Sequence, residues 1–258
     1  MIRGKRKGRE SWMEWRILRV AETGSTNRDA AEAGKRGEAA GLVIVAERQT
    51  GGMGRLGRSW YSPPGGVGLY CSALVRPEMP PEQAGLLSFC AANAMAEAVR
   101  EFGFDAGVKW PNDILCEGRK ICGILSSCGA GEGGLRYAVI GSGLNLRKGA
   151  YPEELRERAA CLEEFGKPPE REAVLKSYLE RLGEEIAELE RDGFAGIRKR
   201  YEALCVLPGR RVRVSGGTET DGTVTGIGEA GELLLDTDEG KKEILAGDVS
   251  VRGMNGYV

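Results

Sequence analysis

The sequence predicts an α+β fold, with helices flanking a β-sheet and a small β-barrel closing the chain. Three observations predict it. Strand-length apolar runs at 42–46, 68–75 and 137–140 are interspersed with helical stripes at 82–102 and 170–192. At Leu207-Pro208-Gly209 the composition changes to short β-type runs separated by Gly, Asp and Glu turns. The length, 258 residues, accommodates one large unit and one small one. The boundary is placed between 206 and 207, leaving a C-terminal unit of roughly fifty residues, near the lower limit for a stable domain.

The totals narrow the chemistry. Lys+Arg of 37 against Asp+Glu of 38 gives no overall field to gather nucleic acid or a membrane. No apolar run is long enough to span a bilayer and no signal-peptide core is visible, so a soluble cytoplasmic protein is expected. Seven cysteines, most of them in apolar runs, read as reduced buried thiols rather than a disulfide framework. Histidine is absent, which removes Ser-His and Cys-His catalysis and imidazole zinc sites. Positioning and charge must carry the chemistry, as they do in phosphoryl and adenylyl transfer.

Residues 1–10, with Arg3, Lys5, Arg6, Lys7 and Arg9, read as a frayed, disordered basic terminus rather than a nucleic-acid arm. Trp15–Val20 is the first predicted strand. Thr26, with Asp29 three residues on, has the spacing of a capping box opening a short helix that Gly34 or Gly37 ends. Leu42–Ala46 is a buried strand. It leads into Gln49-Thr50-Gly51-Gly52-Met53-Gly54-Arg55-Leu56-Gly57-Arg58-Ser59-Trp60. Four glycines in seven residues argue against stiff secondary structure there and let the backbone come close to a ligand. Arginine forks and bare N–H groups suit phosphate or carboxylate, and an indole face suits a planar base. The segment is neither a Walker loop nor a dinucleotide fingerprint.

Gly68–Val75 is a strand. Leu87, Ala91, Ala94, Ala98 and Phe102 mark one core-facing stripe of the helix over 82–102. Val108-Lys109-Trp110-Pro111-Asn112-Asp113 puts Lys109 at a strand end, followed by a hairpin of Ile114–Cys116 and Lys120–Leu125 turning at Glu117-Gly118. Tyr137–Leu146 is a strand interrupted by Gly141 and Gly143, which a close ligand or a bulge would explain. Leu175, Leu179, Leu182, Ile186 and Leu189 follow the 4-3-4-3 spacing of an amphipathic helix ended by Gly193, with a second helix running to Leu204. Arg211–Val214, Thr223–Thr225, Leu233–Leu235 and Val249–Val251 are the short strands of the barrel.

Together, the Gly/Arg loop closing on Trp60, the Lys-Trp-Pro-Asn-Asp string at 109–113 and Gly141-x-Gly143-x-Asn145 resemble the biotin–protein ligase family. The likeness runs from about Ile17 onward. Met53 stands where the family motif usually carries its first arginine, while Arg55, Arg58 and Trp60 match it.

The resemblance implies a mixed catalytic sheet of the class II synthetase and biotin ligase type, with an SH3-like C-terminal unit. It implies ATP-dependent formation of biotinyl-5'-AMP with release of pyrophosphate. Biotin then passes to a lysine of a biotin carboxyl carrier protein or domain. Lys109 and Arg55 are the implied catalytic residues. Ser25, Thr26, Asn27, Gln49, Gly52, Met53, Gly54, Arg55, Lys109, Gly123, Gly141 and Gly143 are the implied biotin contacts. Arg55, Arg58, Trp60, Asn112, Lys120 and Asn145 are the implied ATP or adenylate contacts. Magnesium (Mg2+) would accompany ATP, held chiefly by its phosphates, with Asp113 the candidate protein contact.

About fifteen residues precede the first strand, too few for a DNA-binding domain, so a monofunctional ligase is expected, one for which a homodimer is open. Two other readings compete. One is a lipoate or octanoate ligase or transferase of related fold, against which the Gly/Arg loop and the 109–113 string stand. The other is a nucleic-acid-binding module, against which the balanced charge stands.

Overall fold

A computed structural model of the chain describes residues 5–6, 9–10 and 13–257, except 132–133, 217–218, 248 and 254–256. Within the basic terminus, β1 (Lys5–Arg6) and β2 (Arg9–Glu10) pair antiparallel; its remaining residues lie outside the description. The body of the protein begins with β3 (Arg16–Thr23), α1 (Thr26–Lys35) and β4 (Leu42–Gln49), a crossover unit in which β3 and β4 run parallel. Gly37, at φ 87°, ends the helix: its N–H donates to Gly34 and that of Glu38 to Ala33, the αL exit that glycine favours.

β5 (Gly68–Val75) covers the predicted run and is buried throughout. A 3-10 turn over Pro81–Leu86 precedes α2 (Leu87–Arg100), so the proline-led start of the expected helix is not α-helical. α2 is buried nearly all round rather than along one stripe, which places it centrally. β6 (Ala106–Lys109) and β7 (Asp113–Cys116) follow, and then β8 (Arg119–Gly131) and β9 (Gly134–Asn145). Glu117 and Gly118, both at positive φ, make the tight β7–β8 turn whose twist suits a two-residue hairpin. α3 (Arg171–Asp192) and α4 (Phe194–Leu204) are joined at Gly193.

The large sheet has the order β3-β4-β5-β9-β8-β7-β6, parallel only at β3–β4 and antiparallel elsewhere, hence mixed. Strand alternation decides what each face buries. Val43, Val45, Leu69, Cys71, Ala73, Ala138 and Ile140 point to the side of α2 and α3 and join the main core. Ile44, Leu74, Tyr137 and Val139 point the other way, under Ala30 and Ala33 of α1. Further along that α1 face the same strands carry Ser72, Gly123, Gly141 and Gly143, which register side by side across β5, β9 and β8. Small side chains there leave a depression beyond the N-terminus of α1.

The C-terminal unit is built from β10 (Arg211–Ser215), β11 (Thr220–Ile227), β12 (Leu233–Thr237), β13 (Gly240–Ile244) and β14 (Ser250–Gly253), in the order β13-β12-β11-β10-β14. It is a five-stranded antiparallel sheet, and among the described residues no ladder closes it into the expected barrel. β13 escaped the sequence reading because Gly-Lys-Lys-Glu-Ile has no apolar run. As an edge strand it needs none, and its lysines discourage further pairing. Val212, Val214, Val224, Ile227, Leu233, Leu235 and Val251 belong to the same contiguous apolar cluster as α2, α3 and α4. The buried Trp110 adds a polar tie, its Nε1 donating to the Gly231 carbonyl at 2.9 Å. No helix among the described residues is long and apolar enough to cross a membrane.

Candidate active site

The depression on the α1 face deepens into a cavity of about 570 Å³, walled by the 53–61 segment, the 109–113 string, the 150–159 stretch and the end of the C-terminal sheet. Its ionisable lining is lopsided. Among the described residues Arg55, Arg58, Lys109, Lys120, Arg158 and Arg252 line it against one carboxylate, Asp113. A concave, cation-rich space with a partly apolar wall suits an anionic ligand with a planar or aliphatic part.

At one end lies a buried polar knot. The expected capping box is not formed: Ser25 is the N-cap of α1 without a side-chain cap bond, and Asp29 accepts from Thr23 instead. Thr26 is thereby the first helical residue. Its N–H and hydroxyl both donate to Gln49 Oε1, at 2.8 and 3.1 Å, and its hydroxyl also meets Ser72 Oγ at 2.8 Å. Gln49 Nε2 donates to Ser62. Asn27 spans to β8, donating to the Leu125 carbonyl and accepting from Ser127. A helix N-terminus, a hydroxyl pair and an amide thus converge on a pocket end with little water access.

The glycine segment has more local order than its composition predicts. Trp60 N–H donates to Gly52 O and Gly54 N–H to Arg58 O, with Met53 bridging Ser59. A 3-10 turn over Arg55–Gly57 tops it, holding Leu56 at φ 57°. Trp60 folds down onto the floor: a Cβ added at Gly143 would stand 2.4 Å from its Nε1, and one at Gly123 2.9 Å from its ring. At Gly141 the crowding atoms are Asn27 Nδ2, Leu125 O and Ser72 Oγ. The floor glycines therefore make room for Trp60 and Asn27. The indole N–H is buried with no partner among the described residues.

Arg55 does not point at open cavity. Its guanidinium donates to the carbonyls of Gly247 at 2.6 Å, Val249 at 3.4 Å and Ala246 at 3.5 Å, and to Asn112 Oδ1 at 3.2 Å. Asn112 in turn donates to Ile124 O. Lys109 ends β6 and is 3% exposed. Its Nζ donates to the Tyr257 carbonyl at 2.6 Å and lies 3.4 Å from the centre of the Tyr257 ring. Asp113 accepts from the Tyr257 hydroxyl and pairs with Lys120, which lies 5.3 Å over the Trp60 ring. Burial drives the Lys109 ammonium down to about 7; Asp113 opposes the fall, and Arg252, Lys120 and Arg58 add to it. Burial would raise Asp113, but Lys120, the Tyr257 hydroxyl and Lys109 outweigh it and hold the carboxyl below its usual range.

Asn145 closes the far end. Its Nδ2 donates to Ala160 O at 3.0 Å, and its Oδ1 is a buried acceptor with no partner among the described residues. The structure thus gathers Ser25, Thr26, Asn27, Gln49, Met53, Gly54, Arg55, Arg58, Trp60, Lys109, Asn112, Asp113, Lys120, Gly123, Gly141, Gly143 and Asn145 around one cavity. Gly52 stands behind it, its added Cβ 2.5 Å from Trp60 O. Sequence reading missed Ser72, Arg158, Arg252 and Tyr257. Ser72, a lone hydroxyl in a fully buried strand, was the one with a signal. Among the described residues no cluster of three or more His, Cys, Asp or Glu stands ready for a metal, and the seven cysteines are all free thiols.

Two family models match the chain: the biotin/lipoate A/B protein ligase family over residues 21–145, and the biotin protein ligase C-terminal domain over 209–252. A biotin–[acetyl-CoA-carboxylase] ligase of Mycobacterium tuberculosis is 33% identical over 244 residues, 91% of this chain and 89% of its own length. The bifunctional ligase/repressor BirA of Bacillus subtilis is 34% identical over 233 residues, 88% of this chain and 71% of the relative. The biotin protein ligase of Aquifex aeolicus, solved in complex with biotin and ATP, superposes with a TM-score of 0.80 at 30% identity. That match covers 92% of this chain and 98% of the other.

Proposed function

The chain belongs to the biotin protein ligases, and from that premise we infer how its own residues divide the work of an ATP-dependent biotin–protein ligase. The enzyme activates biotin as biotinyl-5'-AMP with release of pyrophosphate, then delivers it to a lysine of a carboxylase's biotin carrier. In the first step a biotin carboxylate oxygen attacks the α-phosphorus of ATP and the bond to pyrophosphate breaks. In the second, the carrier amine attacks the acyl carbon, AMP leaves and the amine gives up a proton. Neither step needs a nucleophile on the enzyme, in keeping with a chain that has no histidine.

The observation that carries the assignment is the cavity with six cationic side chains, one carboxylate and the buried Thr26–Gln49–Ser72 knot at one end. The knot offers the donors and acceptors that a ureido ring needs, with Ser25 and Asn27 beside it. Lys109 and Lys120, on either side of Asp113, sit where two anions must be brought together and their repulsion offset. Trp60 supplies the face for adenine, and Asn145 Oδ1 an acceptor for its exocyclic amine. Arg55 and Arg58 guard the phosphate side. Met53 is half exposed at the rim of the cavity.

The residues present do not fit a protein-held magnesium. Asp113 is the sole carboxylate of the lining among the described residues, and both its oxygens are engaged, by Lys120 and Tyr257. Mg2+ would enter on the ATP phosphates.

Pyrophosphate exchange into ATP tests the reading. Exchange should depend on biotin and not start with lipoate in its place. Exchange with lipoate alone, or with neither acid, would overturn it.

A further inference from the structure

Behind the nucleotide end of the cavity stands a carboxylate that the mechanism above does not use. Glu164 closes a 3-10 turn over Leu162–Glu164 and gathers four donors. Its Oε1 accepts the Tyr151 hydroxyl at 2.5 Å, the Cys161 N–H at 3.0 Å and the Cys161 thiol at 3.5 Å. Its Oε2 takes Arg119 Nη1 at 2.7 Å. Tyr151 and Cys161 are the two ends of an excursion that places Leu155 and Arg158 in the cavity wall. Arg119 is the residue before Lys120. The excursion is stitched at that point too: Lys120 N–H donates to Arg158 O and Ala160 N–H to Lys120 O, both at 2.9 Å. Ala160 O, in turn, is what orients Asn145. One carboxylate therefore ties the base of the excursion shut and fastens it to the strand that presents Lys120.

We propose that Glu164 is a positioning residue for the nucleotide half of the site, holding Arg158, Asn145 and Lys120 in mutual register without touching substrate. The proposal rests on the ligase reading and adds a residue to it. Burial would raise the Glu164 carboxyl, but the Tyr151, Cys161 and Arg119 donors bring it down to about 2, so the clamp stays charged at any working pH. Charge-assisted bonds from several donors are the strong kind, and losing them frees both ends of the excursion at once.

Two measurements on the full chain test this with Glu164→Ala, Glu164→Gln and Tyr151→Phe. The first is trypsin cleavage after Arg156 and Arg158 in the ligand-free protein, which does not depend on the reaction. The second is biotin-dependent exchange, read as separate KM values for ATP and biotin. Because bonds to a charged group are each worth a factor of ten or so, Glu164→Ala should be cut about tenfold faster and show about a tenfold higher KM for ATP. The KM for biotin should not move. Glu164→Gln, which keeps the shape and an acceptor for Tyr151, should fall between, and Tyr151→Phe should shift both readouts in the same direction. Unchanged cleavage in Glu164→Ala would overturn the clamp. Faster cleavage with KM values for ATP and biotin rising equally would overturn its specific tie to the nucleotide. A wild-type chain with no exchange at all would instead fail the ligase reading, while the cleavage arm would still decide the clamp.

Discussion

Lys109 shows how far one side chain's environment can be set against its charge. An ammonium buried at a strand end, with one carboxylate and three other cations near it, loses its proton near pH 7 in the ligand-free protein. An unfolded lysine titrates at about 10.4. Between the two values the unfolded chain carries a proton that the folded chain lacks. The stability cost of burying the charge is therefore full below pH 7 and is relieved as pH rises toward 10. Activity should run the other way. If the ammonium bridges carboxylate and phosphate, kcat/KM for adenylate formation falls as pH rises through 7. Lys109→Ala should lower adenylate formation by about 10²- to 10³-fold, the usual loss for one such group, with folding intact. Lys109→Arg should recover part of the rate and lose the limb at pH 7, because guanidinium does not titrate there. An unshifted limb in Lys109→Arg would assign it to another group. Gly143→Ala sets a methyl 2.4 Å from Trp60 Nε1, so the indole must leave its place. Its KM for ATP should rise about tenfold, since base stacking on an aromatic ring is worth 1–3 kcal/mol, with the KM for biotin little changed.

Among the elements, the segment between β4 and β5 decides how long the adenylate stays. Thr50 and Gly51 anchor its start to Thr23 and Gly24, and its turn is closed by short main-chain bonds; from that turn Trp60 packs on the sheet and the Arg55 side chain reaches the C-terminal unit. Arg55→Gly removes that tether and adds a glycine to a segment already rich in them. Adenylate should still form in this variant but dissociate about tenfold faster, as expected for loss of a hydrogen-bonded charge, and free lysines in solution should then be biotinylated without the carrier. Amide exchange across 51–60 should slow on adding biotin and ATP to the wild type and slow less in the variant; equal protection in all states would make the segment a fixed wall.

The sequence made most elements legible, because burial on both faces or on one stripe writes itself as an apolar pattern. β5 and α3 are examples. It hid three things. β13 is an edge strand of lysines and glutamate. α2 showed one stripe, yet it is buried nearly all round. The 3-10 turn at Pro81–Leu86 shares the helix's hydrophobic spacing. In the site, the glycine loop and the 109–113 string were readable because their residue types are rare together. Arg158 and Arg252 were not, since an arginine in a charged run looks the same whether it faces solvent or a cavity. The glycines of β9 were legible as a close approach, but only the fold shows that Trp60 and Asn27 are what approaches.

At the scale of the whole molecule the two sheets are not independent bodies. Valines and leucines of the C-terminal sheet sit in the apolar cluster of α2 and α4, and Trp110 reaches across to Gly231. Residues 207–258 expressed alone should lack cooperative unfolding and native-like amide dispersion, since a unit of this size supports itself poorly without the rest of its core. A sharp unfolding transition in that piece would show a self-sufficient domain. The same arrangement brings Tyr257 to Lys109 and Asp113. Tyr257 holds Lys109 by its carbonyl and ring and Asp113 by its hydroxyl. Tyr257→Ala is therefore expected to lower the KM for ATP; no change would mean that Tyr257 yields at no cost. A nucleotide that must first displace a tethered competitor binds with its intrinsic constant divided by the fraction of molecules in which Tyr257 is away. That competitor travels with the enzyme at a fixed effective concentration, so diluting the protein cannot wash it out, and no purification step removes it. On that expectation the nucleotide affinity would be set in part by a residue that takes no part in the chemistry, and ATP titration would gauge how often Tyr257 is in place.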